Sequence, residues 1–330
     1  MTARRRAGAV LATLLVLAAV GAPALTQHGP NRQFDDLANA PPMRPHIIGP
    51  DGAWSRPFVH PLRLIDRLER RYAEDTSRQI PIKWFDDGLV VSVDEAQGTW
   101  LLLGGDPLGR DVFARLLYGA RLSLGVACLA SIGALALGLM LGGCAGFVGG
   151  RLDRLLMSVA DFVLVLPAIY VVLAARAALP LVLTAPQVFL ALTLLLTLAG
   201  WPLAARGVRA IVASERHKEY AEAAFALGAG PSRILLRHLL PATTAFLASL
   251  GTMMVPAFVL TEATLSFVGL GFPVPTATWG AMLRDAWQAG ALLSAPWLMA
   301  PAAAIVVTVL ALQLLTDPPR ASGPQAGTFS

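Results

Sequence analysis

At 330 residues, with 55% hydrophobic and only 14% charged side chains, the chain is too apolar for an ordinary soluble domain and suits a protein that crosses a membrane several times. A formal charge of +5 would fit nucleic acid if the bases shared one soluble face; they sit beside the hydrophobic runs instead, so no nucleic-acid partner is expected. Cys128 and Cys144 fall in one predicted helix roughly 24 Å apart, beyond disulfide reach, and read as inert packing residues.

In chain order, Arg4, Arg5 and Arg6 precede an apolar run from Ala7 to Leu25. A charged start, an apolar middle and Gly21-Ala22-Pro23-Ala24 fit a cleaved signal peptide, but the run is also long enough to span a bilayer, and Pro23 suits a cleavage site poorly. An uncleaved N-terminal transmembrane helix over 1–25 is the favoured reading. Residues 26–118 are a different material. Thirteen of the 21 acids and 12 of the 26 bases lie between Gln27 and Arg121, and prolines are dense from Pro41 to Pro61. We expect a water-exposed insertion in which Leu62, Ile65, Leu68 and Tyr72 form an amphipathic helix and Ile80–Val93 a small hairpin turning at Asp87-Gly88. The insertion closes with Gly104–Gly125. There Asp111 and Arg115 form an i, i+4 pair, and Val112, Phe113, Leu116 and Leu117 make the apolar face of an interfacial helix.

Five further runs are long enough to span: about Leu122–Val148, Leu155–Leu179, Val188–Ala205, Ala242–Phe267 and Trp297–Leu315. Gly138, Gly142, Gly146 and Gly150 recur at four-residue spacing, which lets helix backbones approach closely in lipid. Pro167 is expected to bend its helix. With the N-terminus inside, twelve basic residues from Arg4 to Arg320 fall in cytoplasmic segments, against Arg176 and Arg284 in the short outer ones. This assignment puts both termini and the segment 215–241 in the cytoplasm and residues 26–118 outside. Trp279, Trp287 and Trp297 suit the headgroup belt. Asp161 and Glu262 are the acids inside predicted spans, and each reads either as structural or as part of a solute pathway, with Asp161 close enough to the bases at its end to be paired.

The segment Glu215–Pro241 is a polar island between two apolar runs. Tyr220, Ala223, Ala224 and Leu227 fall at i, i+3, i+4 and i+7, with Lys218, Glu219 and Glu222 on the other side of a short helix. Gly228 and Gly230 end that helix through left-handed conformations, Pro231 opens a second, and Pro241 leads into the next apolar run. Such a helix either offers a small-residue knob to a soluble partner or lies on the surface without one. Glu222-Ala223-Ala224, three residues, Gly228 and Leu240-Pro241 resemble the coupling loop of ABC-transporter permeases. The classical pattern of that loop has an apolar residue where His238 stands; the Arg237-His238-Leu239-Leu240-Pro241 ending is similar instead to the peptide/nickel branch of the family, the DppC/OppC-like permeases. Asp106, Gly109, Arg110 and Asp111 match the segment preceding the branch's second span, with Gly105 in place of the usual threonine. Gly269-Leu270-Gly271, Pro275, Trp279-Gly280, Met282 and Ala295-Pro296-Trp297 match its outer loop.

The resemblance covers about Gly104–Asp317. It implies an all-α polytopic fold of six transmembrane helices: the N-terminal helix, the extracytoplasmic insertion, a five-helix core over 119–317 and a cytoplasmic tail over 318–330. It also implies a multi-pass inner-membrane (plasma-membrane) permease subunit for oligopeptides or dipeptides, with nickel chelates or sugars as open alternatives. The implied partners are a second, different permease, two cytoplasmic ATPases held through Tyr220, Glu222, Ala223, Ala224, Leu227, Gly228 and Pro241, and an outer solute-binding protein. No phosphate-binding loop, nucleophile–base set or metal cluster is present in the sequence, so no cofactor and no enzymatic activity are expected of this chain itself. An ATP-independent channel or secondary transporter is the alternative; its ion relay would have to rest on Asp161 and Glu262.

Overall fold

The structure is a computed structural model that describes residues 3–49, 53–67, 69–180, 182–290 and 294–316. It opens with α1 (Ala3–Val20) and the single turn α2 (Ala22–Leu25), separated at Gly21. Strands β1 (His46–Ile48), β2 (Trp54–Val59), β3 (Leu62–Asp66), β4 (Arg71–Glu74), β5 (Ile80–Asp86) and β6 (Leu89–Val93) follow. The remainder is helical: α3 (Val112–Val148), α4 (Gly150–Val165), α5 (Ala168–Ala178), α6 (Ala185–Glu215), α7 (Glu219–Ala226), α8 (Pro231–Ile234), α9 (Thr244–Val268), α10 (Trp279–Gln288) and α11 (Ala300–Thr316).

Among the described residues, four helical runs are long and apolar enough to cross a membrane: Val112–Val148, Ala185–Glu215, Pro231–Val268 and Pro296–Leu315. The pair α4 and α5 makes a fifth if its two halves are one span; they meet at an 88° bend. The bend falls at Leu166-Pro167, where proline lacks an N–H and forces the preceding residue into extended backbone (Leu166 ψ 131°). Helix α1 has 18 residues and carries Arg4, Arg5 and Arg6 in its first turn.

Small residues set the centre of the bundle. A Cβ at Gly138, Gly142 or Gly146 of α3 would collide with the backbone of α6 at Ala205 or Arg209. Their absence lets the two helices touch backbone to backbone, the packing available where lipid gives no hydrophobic drive. Gly150 is not part of this stripe; it has φ 66° and, with Gly149, turns the chain from α3 into α4. Ala127, Ala130 and Ala134 of α3, Leu192 and Leu196 of α6, and Met254, Phe258 and Val259 of α9 fill the core. Both cysteines are exposed on α3 rather than packed.

Helices α1 and α2 together run from Arg5, whose Nε donates to the Leu315 carbonyl at 3.2 Å, to Leu25, which lines one cavity with Phe113 at the start of α3. Helix α3 then returns and ends at Phe147, beside the loop after α6. Both described chain ends and that loop therefore share one end of the bundle, and the strands lie at the other.

The strand-bearing segment corrects the all-α expectation. It holds a four-stranded antiparallel sheet, order β1-β2-β5-β6, and a separate β3–β4 hairpin. The β5–β6 hairpin stands where the sequence placed it. Asp87 (φ 50°) and Gly88 (φ 79°) take positive φ in its two-residue turn, the conformation that Asp-Gly favours. The amphipathic helix expected over 62–72 is absent, and Leu68 lies outside the described residues. Leu62 and Tyr72 instead share one face of the β3–β4 hairpin and pack on Leu37, Ala40, Met43 and Leu101, while Arg63, Ile65 and Arg71 point to solvent. Period two replaced period 3.6 because Tyr72 gains both this burial and a hydrogen bond from its hydroxyl to the Ala38 carbonyl at 2.6 Å. Nor is there a separate interfacial helix ending at 118. Val112–Val148 is one helix, so the expected boundary between 118 and 119 falls inside it.

Candidate functional site

The loop between α6 and α9 is anchored by few groups. Arg216 at the end of α6 donates from Nη1 to the Phe147 carbonyl at 2.7 Å, tying the loop to the end of α3. Lys218 reaches back to Glu215 at 2.6 Å, and the Tyr220 hydroxyl donates to the other oxygen of the same carboxylate at 2.7 Å. Burial and that hydrogen bond push the Tyr220 phenol up to about 12, so it remains a donor at any physiological pH. Ala221 is fully buried against Val208, Val212, Ile234 and Leu239, and Phe225 stacks on Phe147 with ring centroids 6.3 Å apart. These two residues fix α7 to the bundle.

The end of α7 is a double hydrogen-bonded cap. The Ala229 N–H donates to the Ala224 carbonyl at 3.0 Å and the Gly228 N–H to the Phe225 carbonyl at 2.9 Å, with Gly228 at φ 79°. Ala224 and Ala229, the pair that this motif brings together, both pack on the cluster around Ala221. Gly230 is not left-handed as expected; its φ is −64° and it caps the start of α8, where Pro231 takes the first position. Arg237 and His238 lie in a π-helical turn, Leu235–Leu239, and Pro241 in the 3-10 turn that follows, so the chain is helical from Pro231 to Val268. Of the residues expected to face a partner, Tyr220, Glu222, Ala223 and Leu227 are exposed, Leu227 at 88%, while Ala224 is half-buried at the edge of the seat. The sequence reading missed Ala221 and Phe225 because the stripe it followed is the one turned away from the bundle. The Phe147–Phe225 stack joins residues 78 positions apart, which no local spacing signals.

Asp161 and Glu262, the two acids expected inside spans, have different surroundings. Asp161 of α4 pairs with Arg206 of α6 at 3.2 Å, and both side chains are more than half exposed. About two turns nearer the start of α4, Asp153 forms a two-pronged pair with Arg209 at 2.6 and 3.0 Å. Glu262 is enclosed within the chain. It accepts from the Ser266 hydroxyl at 2.7 Å, and Ser123 of α3 and Thr278, the cap of α10, also face its carboxyl.

At the opposite end of the bundle, Arg110 bridges Asp106 (2.6 Å) and Asp285 (2.8 Å), and Arg115 lies 3.5 and 3.6 Å from the same two acids. The expected Asp111–Arg115 side-chain pair is not formed. Asp111 caps α3 instead, accepting from the Phe113 and Ala114 N–H groups, which is worth about 1 kcal/mol. This network joins the end of the strand-bearing segment to α10. Two of the three tryptophans expected at the headgroups are spent in the same region. Trp279 is buried and donates to the Leu116 carbonyl, Trp297 donates to the Gly105 carbonyl, and only Trp287 stands exposed.

Residues 134–317 match the family model described as binding-protein-dependent transport system inner membrane component. The chain is 35% identical over 215 residues to the oligopeptide transport system permease protein OppC of Bacillus subtilis (strain 168), covering 65% of this chain and 68% of that one. It is 38% identical over 216 residues to the dipeptide transport system permease protein DppC of the same organism, covering 65% of each chain. The nickel transport system permease protein NikC of Escherichia coli (strain K12) is 38% identical over 218 residues, 65% of this chain and 75% of that one. The matched region contains α6, α7 and the whole loop up to α9, together with Asp153, Asp161, Arg206, Arg209 and Glu262.

Proposed function

Because the chain belongs to the binding-protein-dependent transport inner-membrane component family, in its peptide/nickel branch, we propose that it is one membrane-spanning subunit of an ATP-driven importer. In this reading α1 and the bent pair α4 and α5 each count as a span, giving six. The strand-bearing segment lies outside, and both termini and the α6–α9 loop lie in the cytoplasm. The arginines flanking the spans at that end support this orientation.

The observation that carries the reading is the mounting of α7. A short helix outside the spans is seated through Ala221 and the Phe225 ring, yet it leaves Tyr220, Ala223 and Leu227 uncovered. A cytoplasmic ATPase is the partner that such a seat serves. Closure of two ATPases would push on α7, and the push would pass through Phe147 and Arg216 into α3 and α6, switching the pathway between inward and outward access. A second, different permease completes the pathway, an outer solute-binding protein delivers the solute, and short peptides are the proposed cargo. Glu262, fully buried and accepting from Ser266 within α9, acts as a positioning residue rather than lining the pathway.

The test is co-purification under gentle extraction. The parent chain is expected to bring down its ATPase subunits. Ala223→Trp, which puts a bulky ring on the exposed face of α7 where no neighbour in the chain is displaced, is expected to lose most of that ATPase at unchanged membrane abundance. Equal ATPase recovery with both chains would refute the docking role of α7.

A further inference from the structure

Helix α4 carries a polar stripe that its neighbours in the chain do not cover. Arg151, Arg154, Ser158 and Asp161 recur at three- and four-residue spacing on one face, and all four are exposed. The opposite wall belongs to α6, where Arg206 and Arg209 stand across from Asp161 and Asp153. Between the helices lies a groove of about 360 Å³ lined by Asp153, Arg154, Met157, Asp161, Arg206 and Arg209. Along the same seam, past Asp161, a second cavity of about 210 Å³ is wholly apolar, with Val163, Leu166 and Val172 facing Leu195 and Leu198. The 88° bend at Leu166-Pro167 falls within this second cavity.

Helix α4 lies along α6, its Asp153 opposite Arg209 and its Ala160 against Trp201 and Ala205, so the groove is flanked by a spanning helix. The groove lies toward the loop end of the bundle, Arg206 and Arg209 standing in the last three turns of α6, where charged side chains face water or protein rather than lipid tails. The Asp161–Arg206 pair is more than half exposed, so it is not spent on internal packing, and an exposed pair of this kind contributes little to stability. Resting on the permease reading above, we propose that the α4–α6 seam is a solute-contacting wall of the pathway that accepts short zwitterionic peptides. The carboxylate of Asp161 and the guanidinium of Arg206 meet the peptide's terminal ammonium and carboxylate, and the apolar cavity beyond takes its side chains. A track with both charges at one end and aliphatic walls at the other suits that chemistry better than it suits a hydrated metal chelate.

The experiment uses the assembled transporter, with this chain as its only variable, in membranes energised with ATP and supplied with alanyl-alanine. Asp161→Asn and Arg206→Gln are each expected to lower kcat/KM for alanyl-alanine by about tenfold, the effect of losing one charge-assisted hydrogen bond, with membrane abundance and ATPase recovery near the parent's. In a chain lacking both native cysteines, Ser158→Cys is expected to react with a water-soluble thiol reagent, and saturating alanyl-alanine should slow that reaction. Unchanged kcat/KM in both variants, or a Ser158→Cys that reacts only with membrane-soluble reagent, would overturn the proposal, leaving the seam as a lipid- or permease-facing surface. A parent that transports a nickel chelate and not alanyl-alanine would overturn it too, while leaving the permease reading intact. A parent that binds ATPase but moves no solute at all would strike the permease reading instead.

Discussion

A Cβ at position 228 would stand in open space, with no atom of a non-adjacent residue within 4 Å. Its cost is therefore confined to the backbone, where φ of 79° is disfavoured by about 1–2 kcal/mol for a residue with a Cβ and more for a β-branched one. That energy is small beside the stability of the bundle but comparable to what holds the end of α7 in its double cap. Gly228→Val is thus expected to insert at parental abundance while losing most ATPase recovery and uptake. Gly228→Asn, which tolerates positive φ, should keep a substantial share of both. Equal losses in the two variants would show that backbone strain is not the cause.

At the level of elements, the α3–α6 pair is the framework on which α7 and the proposed solute wall are mounted. Its closeness depends on Gly138, Gly142 and Gly146, whose missing side chains let α3 lie on the α6 backbone near Ala205 and Arg209. In contrast to position 228, a Cβ at 142 meets backbone that has nowhere to go. Gly142→Val is expected to cost about 1–3 kcal/mol and to lower membrane abundance and the melting temperature of the purified protein. A variant with parental abundance and melting temperature would mean that the two helices separate freely and that the close packing carries no weight. The α4–α5 break works differently. It needs no partner helix, only Pro167, and it turns the second half of the run away from α4 by 88°.

For the whole molecule, the arrangement in which both described chain ends and the α6–α9 loop share one end of the bundle makes a labelling prediction. In a background lacking Cys128 and Cys144, Ser232→Cys should react only when reagent has access to the cytoplasm, and Ser55→Cys, exposed on β2, only from outside. Reaction of Ser232→Cys from the outer face of intact cells would reverse the orientation and remove α7 from reach of any ATPase. The same arrangement separates two kinds of ionic structure. At the strand-bearing end the Asp106–Arg110–Arg115–Asp285 network has its arginines wholly buried, and it serves to join segments. At the loop end the Asp161–Arg206 pair is open.

Sequence alone was enough for whatever depends on composition and local chemistry. The long apolar runs, the Pro167 bend, the Asp87-Gly88 hairpin, the positive φ of Gly228 and the Pro231 helix start were legible because each follows from one residue's conformational limits or from an uninterrupted run of apolar side chains. The motifs around Glu222 and Arg110 were likewise enough to identify the family. Tertiary structure decided the rest, wherever the outcome depended on which distant surface was available. Leu62–Tyr72 became a hairpin because a cluster of Leu37, Met43 and Leu101 stood ready to bury alternate residues. Asp111 caps a helix instead of pairing with Arg115, because Arg115 finds acids 9 residues upstream and 170 downstream. Trp279 and Trp297 found carbonyls inside the protein rather than headgroups. Which face of α7 is seated and which is open turns on Phe147, far back along the chain, and on Ile234 in the next helix, since an amphipathic pattern of alanines fits either way until a neighbouring surface chooses.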